Sequence, residues 1–320
     1  MNTVVIDGLS FAIPLFIIAI GGIYSERSGV TNLALEGLLG VGAFTGSVAF
    51  LIFNKAGLVD NPAAALIVTF IFAFLGGGIF AVLHGLLCIK FKANQVISGV
   101  VINILAMALT TFLTSQINAI VVGKPSNKFI LNVCSKFTVP VISKIPLIGA
   151  VFTDVYVFMP LIVFIAVFAW YLLYKTRFGL RLRACGDNPH AVDAAGADVA
   201  KIRFTAVILS GALSGIGGMA FAYSITASYS PGIYSGYGYL AIAALIFGNW
   251  KIMPTLGACM LFGFARSGGY KIAQILGFSS AFSDVIMTLP YLLTLILLMF
   301  FSSNNKAPLA LGEIYDKGKR

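Results

Sequence analysis

The sequence predicts an all-α, polytopic membrane protein, because its composition is strongly apolar and its apolar runs are long. Hydrophobic residues make up 59% of the 320 residues and charged residues only 10%, whereas soluble domains are about 45–50% apolar. The mean hydropathy is +0.98. Inside a bilayer every backbone N–H and C=O must be satisfied within the segment, so uninterrupted apolar runs predict helices.

The apolar runs define the expected helices along the chain. Most reach the ~20 residues that a helix needs to cross ~30 Å of hydrocarbon, so we expect about 8–10 transmembrane helices. The runs at 237–248 and 252–265 are too short, and we expect either two thin spans or a re-entrant hairpin at 237–265. Residues 1–301 are expected to form one transmembrane domain, followed by a short soluble tail at 302–320. The runs lie at 9–24, 33–53, 62–89, 95–117, 154–174, 204–224, 237–248, 252–265 and 285–301.

The distribution of basic residues predicts the orientation. If the chain alternates from an outside N-terminus, fourteen of the 21 Lys and Arg residues fall inside. Because basic residues concentrate in cytoplasmic loops, we expect the N-terminus outside and the C-terminus in the cytoplasm. The basic segment at 120–153 runs against this bias. The basic residues behind the net charge of +10 are therefore interpreted as marking the cytoplasmic side of the membrane and not a site for nucleic acid.

The charged segment 175–203 stands out between two apolar runs and contains a short helix signal. Asn188 can cap a helix, Pro189 suits its first position, His190 begins the propagating stretch to Ala195, and Gly196 supplies a left-handed stop. One hypothesis is a coupling helix whose small Ala191, Ala194 and Ala195 face fits a groove in an ATPase subunit. The alternative is an ordinary cytoplasmic loop lying on anionic lipid headgroups.

Small residues follow this segment at helical spacing. Gly211, Gly215, Gly218 and Ala222 fall on one face of the run at 204–224. Without a hydrophobic drive between helices in lipid, such a face favours close packing. We therefore predict a tightly packed helix here, which is a poor candidate to bind solute directly.

Glu36 is an acidic residue that lies well inside an expected span. Intramembrane carboxylates are costly to bury and often functional, so a proton or substrate site is one hypothesis. The alternative is structural anchoring, since Glu36 lies one turn past Asn32, where a helix N-terminus favours negative charge.

A polar seam runs along the helix at 95–117. It consists of Gly99, Asn103, Met107, Thr110 and Thr114, about one helical turn apart. Such a face either lines a solute pathway or bonds to neighbouring helices, and the pathway hypothesis is slightly favoured. Tyrosine rings could also stack on a base or sugar ring in the pathway, although interfacial tyrosines are common. Tyr223 is the candidate for the pathway lining, and the other candidates for stacking are Tyr229, Tyr234, Tyr237 and Tyr239.

The missing motifs exclude several classes of function. The chain has two histidines, His84 and His190, and no phosphate-binding loop, nucleophile elbow or zinc-helix motif. The four cysteines are isolated, with no ligand spacing. The sequence therefore predicts no enzyme, no metal site and no cofactor on this chain, and any ATP and Mg²⁺ would be bound by a partner ATPase.

Several segments together resemble the permease subunits of bacterial ATP-binding cassette importers, in the family that serves branched-chain amino acids, ribose-like sugars and nucleosides. The resemblance rests on ERSGVTNLALEG at 26–37, ANQVISGVVINILA at 93–106, RFGLRLRACGDNPHAVDAAGADV at 177–199, LSGALSGIGG at 209–218 and GYGYLAIAALIFGNW at 236–250. The glutamine of ANQVISG and the last block are most similar to the second permease of nucleoside uptake systems.

The resemblance implies a translocation subunit in the bacterial plasma membrane, with nucleosides as the solute and ribose- or galactose-like sugars as the alternative. It also implies a heterodimer with a sister permease, an ABC ATPase and an extracytoplasmic substrate-binding lipoprotein. A carrier coupled to ions, using Glu36, is the alternative of another class. The family's coupling pattern, with Asp187 where Glu is usual and Val192 where Ala is usual, falls on Gly186, Asp187, Asn188, Pro189, Ala191, Ala195 and Gly196.

Overall fold

A computed structural model gives the fold of residues 2–57, 61–141, 143, 149–232, 234–277, 285–286, 288–301 and 306–317. At a few helical positions in these ranges it describes the backbone and not the side chain. The first helices alternate with short turns and are all longer than 20 residues. They are α1 (Asn2–Arg27), α2 (Leu35–Lys55), α3 (Pro62–Gly85), which continues as a π-helical turn at Leu86–Lys90, and α4 (Gln95–Val121).

The second half of the chain mixes long and short helices. They are α5 (Met159–Lys175), α6 (Arg177–Asp187), α7 (Pro189–Ala194), α8 (Val199–Phe221) with a π-helical turn at Ala222–Thr226, α9 (Tyr237–Phe247), α10 (Ile252–Ile275) and α11 (Leu289–Phe301). The all-α class is confirmed.

Four two-residue strands form two antiparallel pairs in the connecting segments. The strand β1 (Phe129–Ile130) pairs with β4 (Ser228–Tyr229), and β2 (Lys136–Phe137) pairs with β3 (Val155–Tyr156). A 3₁₀ turn at Gly149–Phe152 lies between β2 and β3. These short pairs tie the connections between helices together at one end of the bundle.

Polar side chains start several of the helices by accepting from the free N–H groups of the first turn. Asn61 accepts from Ala63, and Asn94 accepts from Val96 and Ile97. Thr176 and Asp198 do the same for α6 and α8. Pro62, Pro160 and Pro189 stand in the first turns of their helices, where a missing N–H costs nothing.

The helix α8 lies at the centre of the bundle and packs against α1, α2 and α3. The predicted small-residue face is confirmed as a packing face. A side chain at Gly215 would collide with the carbonyl oxygen of Ala73, and one at Gly211 with that of Gly77. A third close approach joins Gly218 to the backbone of Leu39. The absence of side chains at these glycines lets α8 approach the backbones of α2 and α3 directly.

Within the described residues, five helices are long and apolar enough to cross a membrane, judged by length and composition. The number becomes six if α5 and α6, which meet at 69°, count as one broken span. Large apolar side chains of α3, α4 and α5 point outward, including Ile79, Ile97 and Phe164, as expected for surfaces that face lipid. That α9, α10 and α11 cross the membrane stays a prediction. Residues 302–305 and 318–320 of the expected tail lie outside the described residues.

Two expectations about element bounds need correction. The second short run, 252–265, continues through Arg266 and Lys271 to Ile275, because the long stems of these cations let a helix extend beyond its purely apolar stretch. The charged segment after Lys175 is helical and not an open loop. The helix α6 buries Gly179, Leu182, Cys185 and Gly186, a helical spacing, while Arg177 and Arg181 remain exposed.

Candidate functional site

The short helix α7 lies at one end of the bundle. We call this end the α7 face; it consists of Arg27–Thr31, α6, α7, the turn at 248–251 and residues 306–317. The Asn188 side chain caps α7 by accepting from the Ala191 N–H at 3.0 Å. Gly196 ends it with a φ of 78°, and the N–H of Ala197 donates to the Val192 carbonyl at 3.1 Å. The predicted cap, start and stop of this helix are all confirmed.

The residues of the expected coupling pattern divide between the surface and the interior. Gly186 and Pro189 are buried. Gly186 packs so closely on the end of α1 that a side chain there would collide with the Arg27 carbonyl oxygen. Their place is structural, beneath the surface that a partner could touch. The exposed members are Asp187, Asn188, His190, Ala191, Ala195 and Gly196.

A small apolar cluster fixes the inner side of α7. Val192 packs with Cys185 of α6 and Val199 of α8, and Tyr315 packs against the same cluster. The valine that departs from the family pattern is therefore the residue that anchors α7 to its neighbours. Because the buried side is held, the exposed Ala191, Ala194 and Ala195 are left as a small-residue surface.

A cavity of about 670 Å³ lies between α2, α4 and the segment before α9. Of the predicted pathway residues, Asn103, Met107 and Thr110 line it, and so does Glu36. The remaining lining comes mostly from small and apolar side chains with a few polar groups, the usual make-up of a pocket for a small molecule. The polar seam of α4 thus faces a cavity over part of its length.

Thr114 and Tyr223 do not line this cavity. Thr114 is fully buried and its hydroxyl donates to the Thr110 carbonyl at 2.6 Å. The hydroxyl of Tyr223 lies 3.3 Å from that of Thr69, and its ring packs beside Phe70 and Phe158. These two side chains serve helix packing in this structure.

The Glu36 carboxylate joins the start of α2 to the start of α9. Oε1 accepts from the N–H of Gly236 at 2.5 Å and Oε2 from the N–H of Gly238 at 2.6 Å. A side chain at Gly238 would meet the backbone of Glu36, so glycine permits the close approach. Free N–H groups and the helix dipole both favour an anion at a helix N-terminus. The geometry favours anchoring for Glu36, at a carboxylate that also borders the cavity.

Asn103 makes a second link, between α4 and the start of α2. Its Oδ1 accepts from the Gly37 N–H at 2.7 Å, and its Nδ2 donates to the Leu33 carbonyl at 2.8 Å and to the Tyr239 hydroxyl at 3.0 Å. One amide therefore bonds to α2, to the turn before it and to α9. Asn103 is both a helix-to-helix contact and a wall of the cavity, so the two alternatives for the seam coexist at this residue.

Two of the tyrosines proposed to stack on a solute, Tyr234 and Tyr239, line the cavity, whereas the contribution of Pro231 and Ser235 in the same segment, 231–239, was not predicted. Pro231, Tyr234, Ser235 and Tyr239 line it opposite α4. The signal available was the glycine- and tyrosine-rich composition of this segment, which predicts a non-helical approach to a helix start. Composition could not indicate that α9 would begin beside Glu36.

Comparisons with known proteins found a family profile and several relatives. The profile of the family described as branched-chain amino acid transport system / permease component matches residues 4–300. The guanosine ABC transporter permease protein NupQ of Bacillus subtilis (strain 168) is 38% identical over 322 residues, covering 100% of this chain and 98% of the relative. The nucleoside ABC transporter permease protein NupC of Lactococcus lactis subsp. cremoris (strain MG1363) is 36% identical, with the same coverage.

A more distant relative is the guanosine ABC transporter permease protein NupP of Bacillus subtilis (strain 168), 24% identical over 95% of this chain and 82% of the relative. The comparison with solved structures found no match. The chain belongs to the family of branched-chain amino acid transport system permease components, and is an ABC importer permease of the membrane.

Proposed function

We propose that the protein is the translocation subunit of an ATP-driven nucleoside importer in the plasma membrane. The observation that carries the coupling part of this proposal is α7, a helix capped at both ends, held on its buried side by Val192 and exposed along Ala191, Ala194 and Ala195. An exposed small-residue surface on a fixed base can fit a groove in a partner and transmit a push.

In this proposal the α7 face is cytoplasmic and the N-terminus lies outside. An ABC ATPase subunit grips α7, and ATP and Mg²⁺ are bound on that partner, because this chain has no phosphate-binding loop. The ATPase can shift the permease between outward and inward openings only if it contacts α7 differently in its two states. The coupling residues are Gly186, Asp187, Asn188, Pro189, His190, Ala191, Ala195 and Gly196, of which Gly186 and Pro189 act as buried support.

The relatives support the proposed solute and the remaining proposed partners. NupQ and NupC, which align over the whole chain, are described as guanosine and nucleoside permeases. NupQ and NupP are two guanosine permease proteins of one organism, which supports a heterodimer with a sister permease. A substrate-binding lipoprotein on the outer side would deliver the nucleoside.

The cavity beside α4 is the proposed part of the solute pathway. Asn103, Met107 and Thr110 form one wall and Tyr239 the other. The Tyr239 ring is 45% exposed and offers an aromatic face to a planar base. Glu36 would hold the wall in shape, while Thr114 and Tyr223 would support it from behind.

The test is ATP-dependent uptake of radiolabelled guanosine by the complex reconstituted into vesicles, with Ala191→Glu as the coupling variant. A bulky charge on the α7 surface should abolish docking and uptake. The matched control is Ala200→Glu, the same change at an exposed alanine on the first turn of α8. Normal uptake and assembly with Ala191→Glu would remove α7 from the mechanism.

Sugars are the second candidate solute. The putative glucose ABC transporter permease protein TsgC13 of Haloferax volcanii is 31% identical over 79% of this chain and 72% of the relative. Competition distinguishes the two: excess unlabelled ribose, galactose or glucose should leave guanosine uptake unchanged. Uptake of a labelled sugar, with none of guanosine, would replace the nucleoside proposal by the sugar one.

A further inference from the structure

The C-terminal segment 306–317, which we call the strap, runs across the α7 face and bonds to each element there in turn. Its first residue, Lys306, donates its N–H to the Asn249 side chain in the turn between α9 and α10, at 2.8 Å. Ala310 donates to the Gly186 carbonyl at the end of α6, at 2.8 Å. Gly312 then donates to the Gly29 carbonyl between α1 and α2, at 3.1 Å.

The second half of the strap reaches α8, α3 and α7. The guanidinium of Arg203, which is buried in α8, donates to the Glu313 carbonyl at 2.8 Å. Asp316 pairs with Lys92, between α3 and α4, at 3.0 Å, and Lys317 lies 3.7 Å from Asp193 of α7. A segment of twelve residues thus bonds to six separate parts of the bundle.

Tyr315 brings an aromatic ring of the strap against α7. Its ring centroid lies 5.3 Å from that of His190, at an interplanar angle of 57°. The same ring packs on the cluster that contains Val192 of α7 and Cys185 of α6. Tyr315 therefore covers one side of α7 and connects its exposed residue His190 to its buried anchor.

Stability is the reason that α7 needs such a contact. The helix has six residues, and helices shorter than about 12–15 residues are marginal in water without packing partners. The adjacent helices α6 and α8 supply one small apolar cluster. The strap adds the Tyr315 ring and the Lys317–Asp193 ion pair, and so connects α7 to the other elements that the strap contacts. Surface ion pairs such as Lys317–Asp193 contribute little, so the ring is the main contact.

We propose that Tyr315 is a positioning residue for coupling, which holds α7 on the strap so that a push on α7 moves the α1–α2 turn, α8 and the α9–α10 turn together. The proposal rests on the proposed function. A loosely held α7 would still dock but would absorb the motion by local unfolding, so less of each ATPase stroke would reach the helices.

The first experiment uses the isolated full-length subunit and does not depend on the transported solute. Hydrogen exchange at residues 188–197 should accelerate in Tyr315→Ala and remain as in the parent in Tyr315→Phe, which keeps the ring. Ile314→Ala is the control, because Ile314 directly precedes Tyr315 and is 49% exposed. His190→Ala should also accelerate exchange, and combining it with Tyr315→Ala should give less than the sum of the two effects.

The second experiment uses the reconstituted complex with its ATPase. Tyr315→Ala should lower the Vmax of guanosine uptake per assembled complex about two- to tenfold, as expected for loss of an aromatic contact, with KM unchanged and fewer molecules imported per ATP hydrolysed. Tyr315→Phe should restore all three.

Unchanged exchange in both Tyr315→Ala and His190→Ala would overturn the strap contact. Accelerated exchange with normal import per ATP would overturn its role in coupling. Failure of the parent complex to import any solute with ATP would instead count against the proposed function, and the exchange measurement would still test the strap.

Discussion

Trp250 donates its indole N–H to the buried carboxylate of Glu26 over 2.5 Å, although 224 residues separate them. Trp250 lies in the turn between α9 and α10, where both it and Asn249 adopt a left-handed backbone. The Nε of Arg27 donates in return to the Trp250 carbonyl at 3.1 Å. The end of α1 and the turn at 248–251 are therefore locked together at the α7 face.

Trp250→Phe should lower the stability of the protein in detergent. The change removes the indole donor from the buried Glu26 carboxylate, which costs about 1–3 kcal/mol. Thermal unfolding followed with a thiol-reactive dye measures this well, because all four cysteines are buried and react on unfolding. Trp170→Phe, at the half-buried tryptophan of α5, should cause a smaller loss. Equal melting of Trp250→Phe and the parent would show that the bond contributes nothing.

Gly215→Ala should destabilise the bundle at its centre. The new methyl group would collide with the backbone of Ala73 and lie close to Gly42, and overpacking of this kind costs about 1–3 kcal/mol. The matched control is Gly257→Ala in α10, where a side chain meets nothing within 4 Å and helix propensity improves. The dye assay should rank the control at or above the parent and Gly215→Ala below both.

Glu36→Gln separates anchoring from proton coupling. Glutamine keeps one acceptor oxygen, so one of the N–H groups of Gly236 and Gly238 loses its partner, at about 1–3 kcal/mol. We expect a less stable protein whose ATP-driven uptake continues in the assembled fraction. Collapse of an imposed proton gradient should leave uptake by the parent unchanged. Loss of uptake in a stable, assembled Glu36→Gln complex would assign the carboxylate to transport itself.

Met107→Trp should obstruct the pathway without unfolding the helix. Met107 is 48% exposed and borders the cavity, so a larger ring at this position occupies space that a solute needs. Leu105→Trp makes the same addition at a residue of α4 that is 44% exposed and lies outside the lining. Guanosine uptake should fall several-fold with the first variant and stay near the parent with the second. Equal uptake by both variants would exclude this cavity from the route.

Thiol labelling of intact cells tests the orientation. Cys185 is fully buried, so an added cysteine is needed to report on the α7 face. The native Cys134 should react little with the label, because burial raises the pKa of its thiol and its reactive thiolate is scarce near neutral pH. A membrane-impermeant maleimide should label Val133→Cys, at a position that is 85% exposed, and should spare Ala191→Cys until the cells are permeabilised. Labelling of Ala191→Cys in intact cells would invert the proposed orientation.

The local features of the fold were predictable from the sequence because they depend on neighbouring residues. Apolar runs predicted the long helices, and Asn188, Pro189 and Gly196 predicted the start and end of α7, since capping and left-handed backbone are decided within one turn. Spacing also predicted that Gly211, Gly215 and Gly218 share a packing face. The helix α6 could have been found from its buried spacing, but its charge masked that signal.

Contacts between distant segments were decided by the tertiary structure. Glu36 was expected at a helix N-terminus, and the structure adds that the N–H groups it accepts from belong to α9, two hundred residues away. Asn103 proved both to brace helices and to line the cavity, while Tyr223 and Thr114 face the packed interior. The strap at 306–317 gave no signal beyond a polar tail, because Lys306, Ala310, Gly312 and Glu313 bond through their own backbone groups, which every residue carries. Sequence determines which segments are helices and where they end, whereas the partner of each polar group depends on which helices the whole bundle brings together.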